Sequence, residues 1–100
     1  MQNVHATQAG FAVLENGSAL QTAVMVLGAG EASGPMANEH GASEQVLFVV
    51  EGAVHAEIGE KQFEMRAGDS TIVPRNAPHR FTNRAQARAV TFNVYAPKAY

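Results

Sequence analysis

Apolar residues in this chain recur in short runs cut by Gly, Asn and Pro, and no long window keeps helical spacing between good caps. The pattern predicts strands instead. Residues 11–14 are short and apolar, and Glu15-Asn16-Gly17-Ser18 then supplies a turn, since Asn-Gly tolerates positive φ. Residues 22–27 form a second apolar run that stops at Gly28-Ala29-Gly30. Residues 45–50 are so dense in β-branched and aromatic side chains that the run reads as buried on both faces. Residues 53–58 alternate, with Val54, Ala56 and Ile58 on one side and His55 and Glu57 on the other. Further strands are expected at 62–66, 70–73, 79–82 and 89–95, with Pro74 ending the 70–73 run because it has no N–H for a ladder. Eight or nine short strands at this spacing predict an all-β sandwich or barrel. Residues 83–88 are the most polar loop, and residues 96–100 read as a tail or arm.

Composition narrows the picture. At 100 residues the chain is read as one domain, residues 1–100, large enough for a core but with little stability to spare. A net charge of -2 gives no basic excess to displace counterions, so nucleic acid is not an expected partner. There is no cysteine, which excludes disulfides and thiolate ligands. No signal-peptide pattern opens the chain and no apolar run approaches the ~20 residues that cross a bilayer, so a cytoplasmic protein with no membrane partner is the expectation.

Two segments carry candidate chemistry. In residues 34–52, Gly34 is followed after five residues by His40, and Gln45 is followed after six by Gly52. In residues 68–83, Gly68, Pro74, Asn76, His79 and Asn83 stand at fixed intervals. Together they resemble the two-part signature of the cupins, small β-barrels that often hold one metal ion. On that pattern His40 takes the place of the second histidine, Asn38 that of the first, Gln45 that of a glutamate and His79 that of the third histidine. Asn76 replaces a glycine, a mild change because Asn also accepts left-handed backbone. The fifteen residues between Gly52 and Gly68 match compact members of the family. The resemblance implies a cupin jelly-roll barrel that is often dimeric, with Phe48 and Val50 covering the outside of the sheet; burial of both faces explains these two residues equally well.

On a strand, residues 38 and 40 share parity, Gln45 shares it with Leu47 and Val49, and His79 with Phe81. A barrel interior could therefore bring Asn38, His40, Gln45 and His79 to one point, with Leu47, Val49 and Phe81 lining the pocket. Imidazole and carboxamide oxygen suit Zn, Fe, Mn, Ni or Cu, and four neutral donors leave a divalent charge to be balanced by hydroxide or an anionic substrate. Glu44, beside Gln45, would turn inward only through a one-residue bulge, and is then the one nearby carboxylate for general-base work. Glu39 alternates outward. The competing reading is a pair of satisfied core histidines in a cupin without a metal. His5 and His55 read as surface histidines, and Arg80, Arg84 and Arg88 as a solvated rim. Two functions stay open: Lewis-acid or oxygenase-type chemistry on a small organic substrate (anionic, sugar-acid and carbonyl compounds being the candidates), or a module that binds a small molecule without chemistry.

Overall fold

A computed structural model describes residues 1–38 and 40–100; the outward position expected for Glu39 lies outside them. Eight strands follow a single 3-10 turn at Val4–Ala6. They are β1 (Gly10–Asn16), β2 (Gln21–Leu27), β3 (Glu44–Glu51), β4 (Ala53–Ile58), β5 (Lys61–Arg66), β6 (Ser70–Val73), β7 (His79–Thr82) and β8 (Ala89–Ala96). Each expected run of apolar or alternating residues is a strand, and no α-helix occurs among the described residues.

The strands form two antiparallel sheets, a five-stranded one in the order β1-β2-β8-β3-β6 and a three-stranded one in the order β5-β4-β7. Strands distant in sequence become neighbours, as when β8 inserts between β2 and β3. This is the jelly-roll arrangement expected from the motifs. Between the sheets lies a core of Met25, Leu27, Leu47, Val49, Val54, Ala56, Ile58, Met65, Val73 and Phe81. A second cluster of Val24, Val26 and Val90 packs against Val4, Ala12 and Leu14 on the opposite face of the larger sheet.

The turn between β3 and β4 shows why one position must be glycine. Gly52 has φ +77°, and a Cβ there would meet the Arg88 carbonyl oxygen at 2.5 Å. The motif residue Asn83 is structural: fully buried, it donates from Nδ2 to the carbonyls of Leu27 (3.0 Å) and Ala87 (2.9 Å) and accepts from Ala85 N (2.9 Å). It pins the polar loop back onto the end of β2.

Three expectations need correction. β3 is buried on one face only: Gln45, Leu47 and Val49 are buried, whereas Val46 and Phe48 are 39% and 37% exposed, beside Ile72 at 58%. The dense apolar run hid an ordinary period-two alternation. His55 is buried rather than a surface residue, because Glu64 and Gln62 on the neighbouring β5 fold over its ring. The C-terminal residues are not a loose arm. Ser43 Oγ donates to the Pro97 carbonyl (2.6 Å), and the buried Gln21 side chain donates to Tyr100 O (2.6 Å) and accepts from Tyr100 N (2.9 Å).

Candidate metal centre and cavity

His40 lies in the turn before β3 and His79 opens β7, and backbone hydrogen bonds tie the two segments together. His79 N donates to Ala37 O (3.0 Å), and Asn76 N donates to Gly41 O (3.0 Å). Asn76 adopts φ +63°, the left-handed conformation that the glycine of the motif would otherwise supply. Its side chain covers Gly41 closely: a Cβ on Gly41 would lie 2.9 Å from Asn76 Oδ1. The His40 turn is closed by Ser43 N donating to His40 O (2.9 Å). The two imidazoles end with ring centroids 4.6 Å apart and planes tilted by 42°, both buried.

Neighbouring hydrogen bonds orient the polar groups. His79 Nδ1 lies 3.0 Å from the Ala77 carbonyl oxygen, which accepts only from an N–H, so the proton sits on Nδ1 and the Nε2 lone pair is left for a ligand. Gln45 stands on β3 opposite Tyr95 of β8 and Val73 of β6. Its Nε2 donates to Asn93 Oδ1 (3.0 Å), and Asn93 Nδ2 donates to Thr91 Oγ1 (3.1 Å). This buried chain assigns the carboxamide orientation and leaves Gln45 Oε1 as a buried acceptor with no hydrogen-bond partner among the described residues. Burial, followed by the nearby His79 ring, lowers the His40 pKa below its ordinary value; the Gln45 side chain pulls the other way from a position short of a well-formed hydrogen bond. His40 is thereby biased toward the neutral, ligand-competent imidazole near neutral pH.

These groups face a cavity of about 250 Å³, lined by Phe11, Met25, Ser33, Pro35, His40, Gln45, His79, Phe81, Tyr95 and Tyr100. A wider hollow of about 560 Å³ at the β4–β5 turn, lined by Ile58, Phe63 and Pro74 among others, contains neither imidazole nor carboxamide.

The model of the cupin domain family matches residues 23–95. The chain is a cupin. Among solved structures, this cupin is similar to TT1209 of Thermus thermophilus, with a TM-score of 0.84 and 21% identity over 98% of this chain and 97% of that one. It also resembles BH2720 of Bacillus halodurans, with a TM-score of 0.86 and 24% identity over 94% and 74% of the two chains. A sugar phosphate isomerase of the cupin superfamily from Silicibacter pomeroyi gives a TM-score of 0.73 and 24% identity over 87% of this chain and 59% of that one. At these identities the likeness concerns the fold. Comparison with curated proteins gives no match.

Within this cupin, the residues expected at the site separate. His40, His79 and Gln45 meet at the cavity wall, but Asn38 is exposed and does not line it. The parity argument for Asn38 required an extended strand, whereas Ala37 makes an isolated bridge, Asn38 lies in no strand and His40 is a turn residue. Glu44 points to the outer face, exposed beside Val46, because β3 keeps regular register from Gln45 to Val49 and shifts only beyond it. The bulge that would have brought Glu44 inward is absent. Of the expected lining residues, Phe81 reaches the cavity, while Leu47 and Val49 belong to the core beneath it. Phe11, Tyr95 and Tyr100 were missed: Tyr95 enters the wall through the β3–β8 pairing, and Tyr100 through the docked C-terminal residues. Arg80 and Arg88 pair with Glu57 and Glu51, each at 2.9 Å, away from the cavity.

Among the described residues no group of three His, Cys, Asp or Glu side chains converges on one point. The candidate donors that border the one cavity are the two imidazoles, 4.6 Å apart between ring centroids, and Gln45 with its unpartnered carboxamide oxygen. That set fits a borderline transition ion in donor type and gives it no negative charge.

Proposed function

We propose that this cupin holds one divalent transition metal (Zn, Fe, Mn, Ni or Cu) through His40, His79 and Gln45 Oε1, and acts on a small organic molecule that enters the cavity beside them. The single observation that carries this reading is the buried, unpartnered Gln45 Oε1 at the wall that both imidazoles share. A buried acceptor left unsatisfied costs about 1–3 kcal/mol, a penalty that a cation would relieve. When bound, such an ion supplies Lewis-acid polarisation of a carbonyl or enol oxygen or, as iron, redox chemistry with dioxygen. The protein's own part is to orient the donors: Ala77 O holds the His79 ring, and Asn93 holds the Gln45 carboxamide.

No carboxylate lines the cavity among the described residues, so this reading includes no protein general base. The same fact favours a second reading, a cupin that binds a small molecule without turning it over. Pairing of two copies through Val46, Phe48 and Ile72 on the outer sheet face, in a cytoplasmic homodimer, is compatible with either reading.

The test is elemental analysis of the purified protein beside His79→Ala. The expected result is about one transition-metal ion per chain, falling to about a tenth or less in the variant. Absence of metal, together with no uptake of Zn, Mn, Fe, Ni or Cu by the wild type, would overturn the metal reading.

A further inference from the structure

We propose that the cavity selects a planar aromatic ring carrying one ionisable oxygen, and rejects phosphorylated or polyhydroxylated molecules. This deepens the function proposed above: the oxygen half rests on the metal reading, while the ring half rests on the wall alone.

The wall contains no lysine, arginine, aspartate or glutamate among the described residues. No charged side chain on this wall would pair with a phosphate or sugar-acid group, which would be stripped of water with the proposed ion as its one source of compensating charge. Outside the atoms assigned to the ion, some of the wall's polar groups are also engaged. Ser33 Oγ accepts from Phe81 N (3.0 Å), and Gln45 Nε2 donates to Asn93 (3.0 Å), so a sugar's several hydroxyls would find few partners.

Aromatic rings dominate the rest of the wall. Tyr100 meets Phe11 with centroids 4.7 Å apart, tilted by 52°, and meets Tyr95 at 5.1 Å, nearly perpendicular at 78°. They make an open corner of ring faces and edges, the geometry in which a further ring can stack or pack edge-on. Phe11 and Tyr100 remain 43% and 53% exposed even though they border the cavity. The volume agrees: a cavity of about 150 Å³ accepts benzene, and this one, at about 250 Å³, leaves room for a single substituted ring.

The outer part of this wall is held in place through Ala99 and Tyr100. Gln21, 1% exposed, uses both ends of its carboxamide on the C-terminal residues, donating to Tyr100 O and accepting from Tyr100 N and Ala99 N. Tyr100 also lies 6.4 Å from the His40 ring, so a ring held in the corner would place its substituent oxygen on the side of the two imidazoles. A phenolate or enolate oxygen there would supply the negative charge that the neutral donor set lacks.

The experiment titrates the purified 100-residue chain with 4-methylphenol, cyclohexanol and glucose 6-phosphate by calorimetry, with metal content measured on the same samples. Saturable binding of 4-methylphenol is expected, with cyclohexanol weaker and glucose 6-phosphate without a saturable signal. Phe11→Ala and Tyr100→Ala should each weaken 4-methylphenol by about fivefold while metal content holds; each variant loses a ring contact and some Tm but stays folded at the assay temperature, both side chains being largely exposed. Glucose 6-phosphate binding as tightly as 4-methylphenol, or unchanged 4-methylphenol affinity in both variants, would overturn the ring selection. Metal present with no 4-methylphenol binding sinks the ring selection alone. Binding of 4-methylphenol by a protein that takes up no metal sinks the metal reading and supports the ring half.

Discussion

Two places in this barrel bury histidine, and they do so differently. On the three-stranded sheet, His55 has Nδ1 2.5 Å from Glu64 Oε1 and Nε2 3.1 Å from Gln62 Oε1. Both ring nitrogens are occupied by side chains of the adjacent strand, and the group is closed. At the cavity, His40 and His79 lie with ring centroids 4.6 Å apart; His79 commits only Nδ1, to a backbone carbonyl, and Gln45 beside them keeps an oxygen unpartnered. Burial alone therefore does not distinguish the proposed site. What marks it is buried donor capacity that the fold arranges without consuming.

The strongest way to break this contrast is to exchange the roles of the two places. His40→Ala should abolish stoichiometric metal uptake, with content falling to about a tenth or less, whereas His55→Ala should leave it unchanged. The cost of His55→Ala should appear in urea unfolding as about 1 kcal/mol, at the low end for a lost buried contact, because the Glu64 side chain is already 60% exposed and rehydrates easily. Equal metal loss in both variants would erase the distinction between them.

Gln45→Glu sharpens the comparison by supplying the missing charge. Affinity for Zn or Mn, read by competition with a chromophoric chelator, should rise about tenfold. In the metal-free protein the same buried carboxylate should lower Tm by about 4 °C or more. A gain in stability without metal would mean the pocket already holds compensating charge.

Asn93→Ala removes the group that holds the Gln45 carboxamide. Metal affinity should fall about tenfold, at the low end of the effects seen when an orienting partner is lost. Unchanged affinity would show that Gln45 Oε1 is not a donor to the ion.

The smallest effect belongs to the surface pair Arg80–Glu57. The Arg80 guanidinium, by its hydrogen bonds and then its charge, holds the Glu57 carboxyl below its ordinary value of 4.5. A carboxyl depressed in the folded state contributes stability above its unfolded value and loses it as pH falls. The Tm difference between wild type and Arg80→Ala should be slight at pH 7, as for most exposed pairs, and should close as the pH drops below about 4.5. Metal content should not change.

The strands were legible because their signals are local. Alternation and turn residues such as Asn16-Gly17 act within a few positions, and they marked the eight strands to within two residues at each end. Asn76 was legible for the same reason, since its left-handed backbone is a property of one residue. The site was only partly so. His40, Gln45 and His79 stood out through their spacing, but the parity that included Asn38 assumed a strand where the chain turns. No pattern in β4 announced that Glu64 and Gln62 would cover His55, because cross-strand cover depends on which strands pair. Tyr95 and Tyr100 carry no motif and join the cavity through register and docking.

Strands, turns and the identity of the donors were thus written into the order of residues, since each follows from the chemistry of neighbours along the chain. Which donors meet was settled in three dimensions. Pairing of β3 with β8, the Asn76–Gly41 tether and the clasp of Gln21 on Tyr100 join positions far apart in sequence, where no local preference acts.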